Sequence, residues 1–418
     1  MEKTQKSGVI HTLMAGLYIF LSFLSFYCAC YRLPVGVKYI VSCFVTAIAA
    51  LVFLIKPNFE RMKFCGKFAA MYFAPFFLFW LWSLMIWTKD FQTTDYIIRG
   101  TKNIVYMLTN ILYFCSAFYL FGKKSIYYTF YAMCAANFAV LIEVGVQYGF
   151  GPLFSEYATL LTSFANETGS VIRRMELHDM VFGWGPYILY FILYKDEGTP
   201  WWKNVLLLIP AFFFFTVALK RIAVLAVGIA LLFGIAVKCF RTSNKCRLYF
   251  WTAVCIGALC FLYVVVVKNG EFIEYMRRLG INLMGRQRIY AYYDDFFEVS
   301  PTFLGQGIRF LYNYSETHEG IGLTHNVFLE LFIELGFVMW FVWVWYDLRF
   351  RIKWMAKRYS YASAECLFVM CLYAFVTYMT DNTYFYYPIN VTYRLLAMVW
   401  CYQTAVKRHM LKDFGPAF

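Results

Sequence analysis

Three groups of residues in the second half of the chain have the types and spacing to act on a charged, oxygen-rich substrate. Lys220 and Arg221 interrupt the apolar run 205–237, leaving flanks of about 15 and 16 residues. At 1.5 Å per residue each flank covers only about 23 Å. Two short helices meeting at a Lys-Arg turn would hold these cations below the outer membrane surface in an outward cavity, although snorkelling to the headgroups is the plainer reading. The second group is Gly285-Arg286-Gln287-Arg288, followed by Tyr290, Tyr292, Tyr293, Phe296 and Phe297 and then Gly305-Gln306-Gly307. Paired guanidiniums suit bidentate binding of diphosphate, and the aromatic rings suit stacking on sugars or lipid. An interfacial helix anchored by basic and aromatic residues, with no ligand, is the alternative. The third group runs from Thr324-His325-Asn326 to Gly336 and includes Glu330 and Glu334 one turn apart. Thr324 or Asn326 can cap a helix, placing His325 where the N-terminal amides favour an anion. A histidine there can also take a proton near neutral pH.

The elements that position these groups follow from composition. Of 418 residues, 62% are hydrophobic and 15% charged, against about 25% charged in ordinary soluble domains. Apolar stretches of helical length occur at roughly 9–31, 35–55, 68–88, 103–121, 125–148, 178–194, 203–219, 222–237, 248–267, 325–347, 362–380 and 384–406. Most approach the roughly 20 residues a bilayer core requires, and no period-two alternation suggests a β-barrel. The expected fold is therefore all-α: a polytopic transmembrane helix bundle of about twelve spans, forming a single membrane domain over residues 1–418. Two outer loops are expected, 149–177 and the long loop 268–324, whose middle reads as an amphipathic helix near the interface.

With both termini inside, the inner segments carry 22 Lys and Arg and the outer side 15, six of them in the long loop. The positive-inside rule therefore turns the long loop outward and both termini to the cytoplasm. The net charge of +14 fits this orientation and contact with anionic lipids, and it does not call for a nucleic-acid partner. The 13 cysteines lie in apolar spans or short basic loops, with no disulfide framework or zinc spacing.

Several motifs are missing. The sequence has no G-x-x-x-x-G-K-[ST], D-x-D, H-E-x-x-H or G-x-S-x-G. An enzyme with this sequence is expected to use no metal or cofactor and to take a donor already in the membrane.

An arginine at an outward turn between two helices, then a long loop with G-R-x-R and G-x-G, then His325-Asn326, nine residues and Gly336, resembles the bacterial O-antigen ligase and polymerase family. The likeness covers roughly residues 200–345. It implies a membrane glycosyltransferase using an undecaprenyl diphosphate-linked oligosaccharide on the outer face of the bacterial cytoplasmic membrane. In this reading Arg221 and either Arg286 or Arg288 bind the diphosphate and His325 activates the acceptor hydroxyl, while Lys220, Asn326 and Glu330 contribute to binding. Arg174, with Arg173, Glu176, His178 and Asp179 nearby, resembles an arginine motif of polymerase outer loops, since ten residues separate it from Gly185. Met339 stands where the family usually has a small residue or Tyr, which favours the repeat-unit polymerases of O-antigen and capsule over the ligases that modify lipid A core. A flippase and a chain-length regulator are the expected partners. A transporter of lipid-linked sugars is the alternative of a different class; it should show matched halves and would put weight on Arg394 and Glu143.

Overall fold

The computed structural model describes the chain apart from residues 1, 90–93, 164–170, 172–174, 176, 195–199, 219, 241, 269, 281–285, 319–320, 416 and 418. Among the described residues the regular structure is helical. The first half contains α1 (Glu2–Ala29), α2 (Val37–Ile55), α3 (Phe59–Lys89), α4 (Thr94–Phe121), α5 (Ser125–Tyr148) and α6 (Phe150–Ser163). These are followed by α7 (His178–Leu193), α8 (Trp201–Val217), α9 (Arg221–Cys239) and α10 (Thr242–Lys268). The long loop holds three short helices, α11 (Glu271–Arg278), α12 (Arg286–Tyr293) and α13 (Phe310–Thr317). The chain ends with α14 (Val327–Trp345), α15 (Arg351–Arg358), α16 (Tyr361–Tyr378) and α17 (Tyr387–Lys407).

Each of the twelve apolar stretches lies on one of these helices. Among the described residues eight helical segments are long and apolar enough to cross a membrane, one of them the 55-residue stretch Thr94–Tyr148, and Asp179–Leu193 and Trp201–Val217 are shorter apolar helices. The protein is thus an all-α polytopic bundle. Helices begin earlier than hydropathy suggests: α3 starts at Phe59 and α10 at Thr242, so Cys65 and Cys246 lie on helices rather than in loops. Polar and charged residues near these helix starts lower the local hydropathy without preventing the backbone from continuing the helix.

Burial separates centre from rim. On α7, α16 and α17 nearly every described side chain is buried, and α17 packs against α4 and α7 while α16 packs against α9 and α15. By contrast α2 exposes Ile40, Leu51, Leu54 and Ile55, and α9 and α10 expose Leu232, Leu259 and Leu262. An apolar exposed belt of this extent is what lipid contact requires. Two of the arginines inside the bundle have local partners: Arg351 pairs with Asp347 at 3.0 Å, and Arg394 donates to the Tyr393 hydroxyl at 2.9 Å beside the rings of Tyr72 and Phe76. Glu143 accepts from the Tyr27 hydroxyl at 2.8 Å and lies 3.5 Å from Arg32.

Candidate functional site

The site is organised by the short turn between α16 and α17. Thr380-Asp381-Asn382-Thr383 is too polar to continue either apolar helix, and Asp381 is almost fully buried there. Both of its carboxylate oxygens are occupied. Oδ2 accepts from the Lys220 ammonium at 2.9 Å, and Oδ1 accepts from the Tyr386 hydroxyl at 2.5 Å and from the Asn382 amide at 3.0 Å. His325 Nδ1 lies 3.8 Å from Oδ1, beyond a hydrogen bond but within reach of its charge. Burial opposes a charge on Asp381, but His325, the Lys220 ammonium and the Tyr386 hydroxyl outweigh it and hold the carboxyl below the usual carboxylate range. Arg286 joins the same turn by donating to the Thr380 carbonyl at 2.8 Å. Asp179, at the start of α7, accepts from Tyr31 at 3.0 Å and lies within the electrostatic reach of Asp381 and Lys220.

His325 is held by an unusual backbone. It has φ 47°, in the left-handed region that costs a residue with a Cβ roughly 1–2 kcal/mol. Asn326 is the cap of α14, its side-chain oxygen accepting from the Phe328 and Leu329 amides at 3.1 and 3.2 Å. That cap stops the helix abruptly and turns His325 outward, with its side chain 46% exposed. Nδ1 faces Asp381 while the rest of the half-exposed ring is open to solvent.

The H-N-x9-G pattern acquires a structural reason at its far end. Gly336 breaks α14 with φ 72° and ψ −180°, a combination essentially restricted to glycine. The break exposes backbone groups to the Gly305-Gln306-Gly307 loop: the amides of Gln306 and Gly307 donate to the carbonyls of Ile333 and Glu334 at 2.9 and 2.8 Å, and Phe337 N donates to the Phe303 carbonyl at 2.9 Å. A Cβ at Gly336 would lie 2.2 Å from the Leu304 carbonyl carbon, and one at Gly305 would lie 2.5 Å from the Glu334 oxygen. Trp82 ties the junction down by donating to the carbonyls of both Leu304 and Leu335 at 2.9 Å. The G-x-G thus fastens the long loop onto the histidine-bearing helix.

The remaining expected residues divide. Arg221 opens α9 and Arg288 lies on α12, both exposed. Glu330 is fully buried and faces Arg309, whose guanidinium lies 3.5 Å away and sits over the rings of Tyr312 and Phe385 at 4.2 and 4.8 Å. Glu334 is also fully buried. Arg173, Arg174 and Glu176 lie outside the described residues, as does the side chain of His178. Among the described residues no three His, Cys, Asp or Glu side chains converge as metal ligands would.

Asp381 and Arg309 escaped the sequence reading. An acid breaking the apolar run 362–406 was a usable signal for Asp381, because ionisable groups at such positions are costly. Arg309 gave none beyond its charge.

The cluster therefore offers cations at a turn between helices, a histidine backed by a buried carboxylate, and aromatic rings on the adjoining loop. Such a set can neutralise a departing anion and remove a proton from a hydroxyl. Residues 206–344 match a family model described as O-antigen ligase. That span includes Lys220, Arg221, the long loop, His325 and Gly336. No curated protein and no solved structure matches the chain.

Proposed function

We infer from the match of residues 206–344 to the O-antigen ligase family model, together with the site geometry, that the chain is a membrane glycosyltransferase of the repeat-unit polymerase kind. The donor is an undecaprenyl diphosphate-linked glycan and the acceptor another lipid-linked repeat unit. The reaction takes place on the outer face of the bacterial cytoplasmic membrane, with both termini inside. The observation that carries this reading is His325: a half-exposed histidine in a strained backbone, backed by Asp381, on the turn that also binds Lys220 and Arg286.

In this mechanism the exposed Arg221 and Arg288 guanidiniums grip the diphosphate, while Lys220 and Arg286 keep the local potential positive. His325 removes the proton from the acceptor hydroxyl through its outward ring nitrogen. The acceptor oxygen bonds to the anomeric carbon as the bond to the diphosphate oxygen breaks, and undecaprenyl diphosphate leaves with its charge neutralised. Asp381 then stabilises the imidazolium. Positioning and charge neutralisation supply the catalysis, because the donor already carries a good leaving group.

Met339, in place of a small residue or Tyr, favours a lipid-linked acceptor over lipid A core. The test offers purified protein a radiolabelled lipid-linked repeat unit with either more of the same unit or lipid A core. Ladders of lengthening lipid-linked chains support a polymerase, and label transferred only to lipid A core makes the protein a ligase.

A further inference from the structure

The opposite face of the bundle, where α17 ends and α3 begins, holds a cavity of about 860 Å³. Lys63 and Lys67 reach it from α3, Arg358 from the end of α15, and Lys412 from the tail after α17. Among the described residues none of these four makes an ion pair with a carboxylate. Two acids share the lining with these four cations. Glu60 lies in the first turn of α3, a position the helix dipole favours. Asp413 accepts from the Tyr402 hydroxyl at 2.8 Å and from the Gly415 amide at 3.2 Å.

The tail is built into this face. Phe414 stacks on Tyr402 with ring centroids 5.3 Å apart, and the Phe414 amide donates to the Tyr402 hydroxyl at 2.7 Å. Arg61 donates to the Gly415 carbonyl, and Ala417 N donates to the Leu120 carbonyl at 3.1 Å. These contacts fix residues 409–413 as one wall. The floor is the buried pair Phe64 and Tyr359. A general excess of basic residues on one side would scatter cations around the rim. Here they come from three separate parts of the chain to one concave site, beside the exposed apolar ends of α2 and α3 at Ile55 and Phe59.

We propose that this cavity binds a phosphate-bearing anion, held by Lys63, Lys67, Arg358 and Lys412 and walled by the C-terminal tail. The phosphate can arrive on an anionic phospholipid headgroup, because basic pockets between membrane helices suit such headgroups, or as a soluble phosphate or pyrophosphate. The site is separate from the His325 cluster and does not depend on its chemistry.

The test measures thermal unfolding of the full-length protein in neutral detergent with added cardiolipin, phosphatidylcholine or pyrophosphate. Cardiolipin should raise the wild-type midpoint by about 3 °C or more, phosphatidylcholine should not, and K63Q/K67Q/R358Q should lose most of the rise. An equal rise with pyrophosphate assigns the soluble source, and a rise with cardiolipin alone assigns the lipid. If the triple variant does not fold, native mass spectrometry of wild type and Lys67→Gln gives the answer, with bound cardiolipin or pyrophosphate expected to fall severalfold in the variant. Equal stabilisation of wild type and triple variant, equal occupancy in the single variant, or no response to either anion overturns the proposal.

Discussion

Lys220 and Asp381, 161 residues apart in sequence, form a 2.9 Å ion pair at the head of the bundle. The pair ties the turn between α8 and α9 to the turn between α16 and α17, and Asp381 also faces His325. Asp381→Asn should therefore lower turnover by about ten- to a hundredfold while substrate affinity changes less, because a misplaced base costs rate before it costs binding. Steady-state kinetics with a lipid-linked substrate checks this; a large rise in KM at unchanged kcat would instead make Asp381 a binding residue.

The pair also has a pH signature. The Asp381 carboxyl is held low in the folded protein, so its stabilising contribution is present above the ordinary carboxylate pKa of about 3.9 and is lost as pH falls through the folded value. The difference in unfolding midpoint between wild type and Asp381→Asn should not shrink as pH falls from about 8 to 5 and should shrink only in stronger acid. A difference that shrinks between pH 7 and 5 would contradict the assignment.

His325 separates fold from function. His325→Gly relieves the left-handed backbone, so the variant should be at least as stable as wild type, by up to about 1 kcal/mol, yet unable to elongate chains. Asn326→Ala should behave differently, losing about 0.5–2 kcal/mol with the cap, and Asn326→Ser should recover most of it. Thermal unfolding of the three variants checks the order.

Gly336 has little room to change. Gly336→Ala drives a Cβ into the Leu304 backbone and imposes a disallowed backbone conformation, so a loss above about 3 kcal/mol or failure to accumulate is expected. Gly228→Ala, with nothing within 4 Å of the new Cβ, should fold normally and serves as the control in the same expression assay.

Much of this was legible before the structure. Twelve apolar stretches became helices because helical length and lipid exposure both follow from local composition. His325 and Lys220 stood out as a proton carrier and a cation beside apolar runs and Arg286 as a cation of the long loop, and the structure gathers all three at one turn. Asp381 did not stand out, since its meaning depends on partners brought from distant segments. The same is true of the Arg309 and Glu330 pair. Gly336 was visible as a spacing but not as a kink, because the reason lies in the backbone of residues 303–307 crossing it. Asn326 was a choice between two possible caps until its bonds to Phe328 and Leu329 decided it.

The orientation proposed from the charge count is tested at Ser315, on α13 of the long loop. Ser315→Cys in an active cysteine-depleted background should react with an impermeant thiol reagent on intact spheroplasts. Labelling only after permeabilisation would place the His325 cluster on the inner side.

The diphosphate grip rests on Arg221, exposed at the first residue of α9. Arg221→Ala should abolish polymer with the protein still in the membrane, and Arg221→Lys should recover little, because an ammonium cannot reproduce a bidentate fork. Normal polymer in both variants would reduce Arg221 to a headgroup anchor.

The central claim is glycosidic bond formation with His325 as the base, and the most direct measurement uses purified protein, a synthetic undecaprenyl diphosphate-linked repeat unit and a chelator in a single detergent phase. Wild type should build longer lipid-linked chains. His325→Ala should be slower by about a hundredfold to ten-thousandfold while still binding donor. A wild-type protein that forms no glycosidic bond there but moves the lipid-linked sugar across liposome membranes would contradict the account and make the chain a transporter.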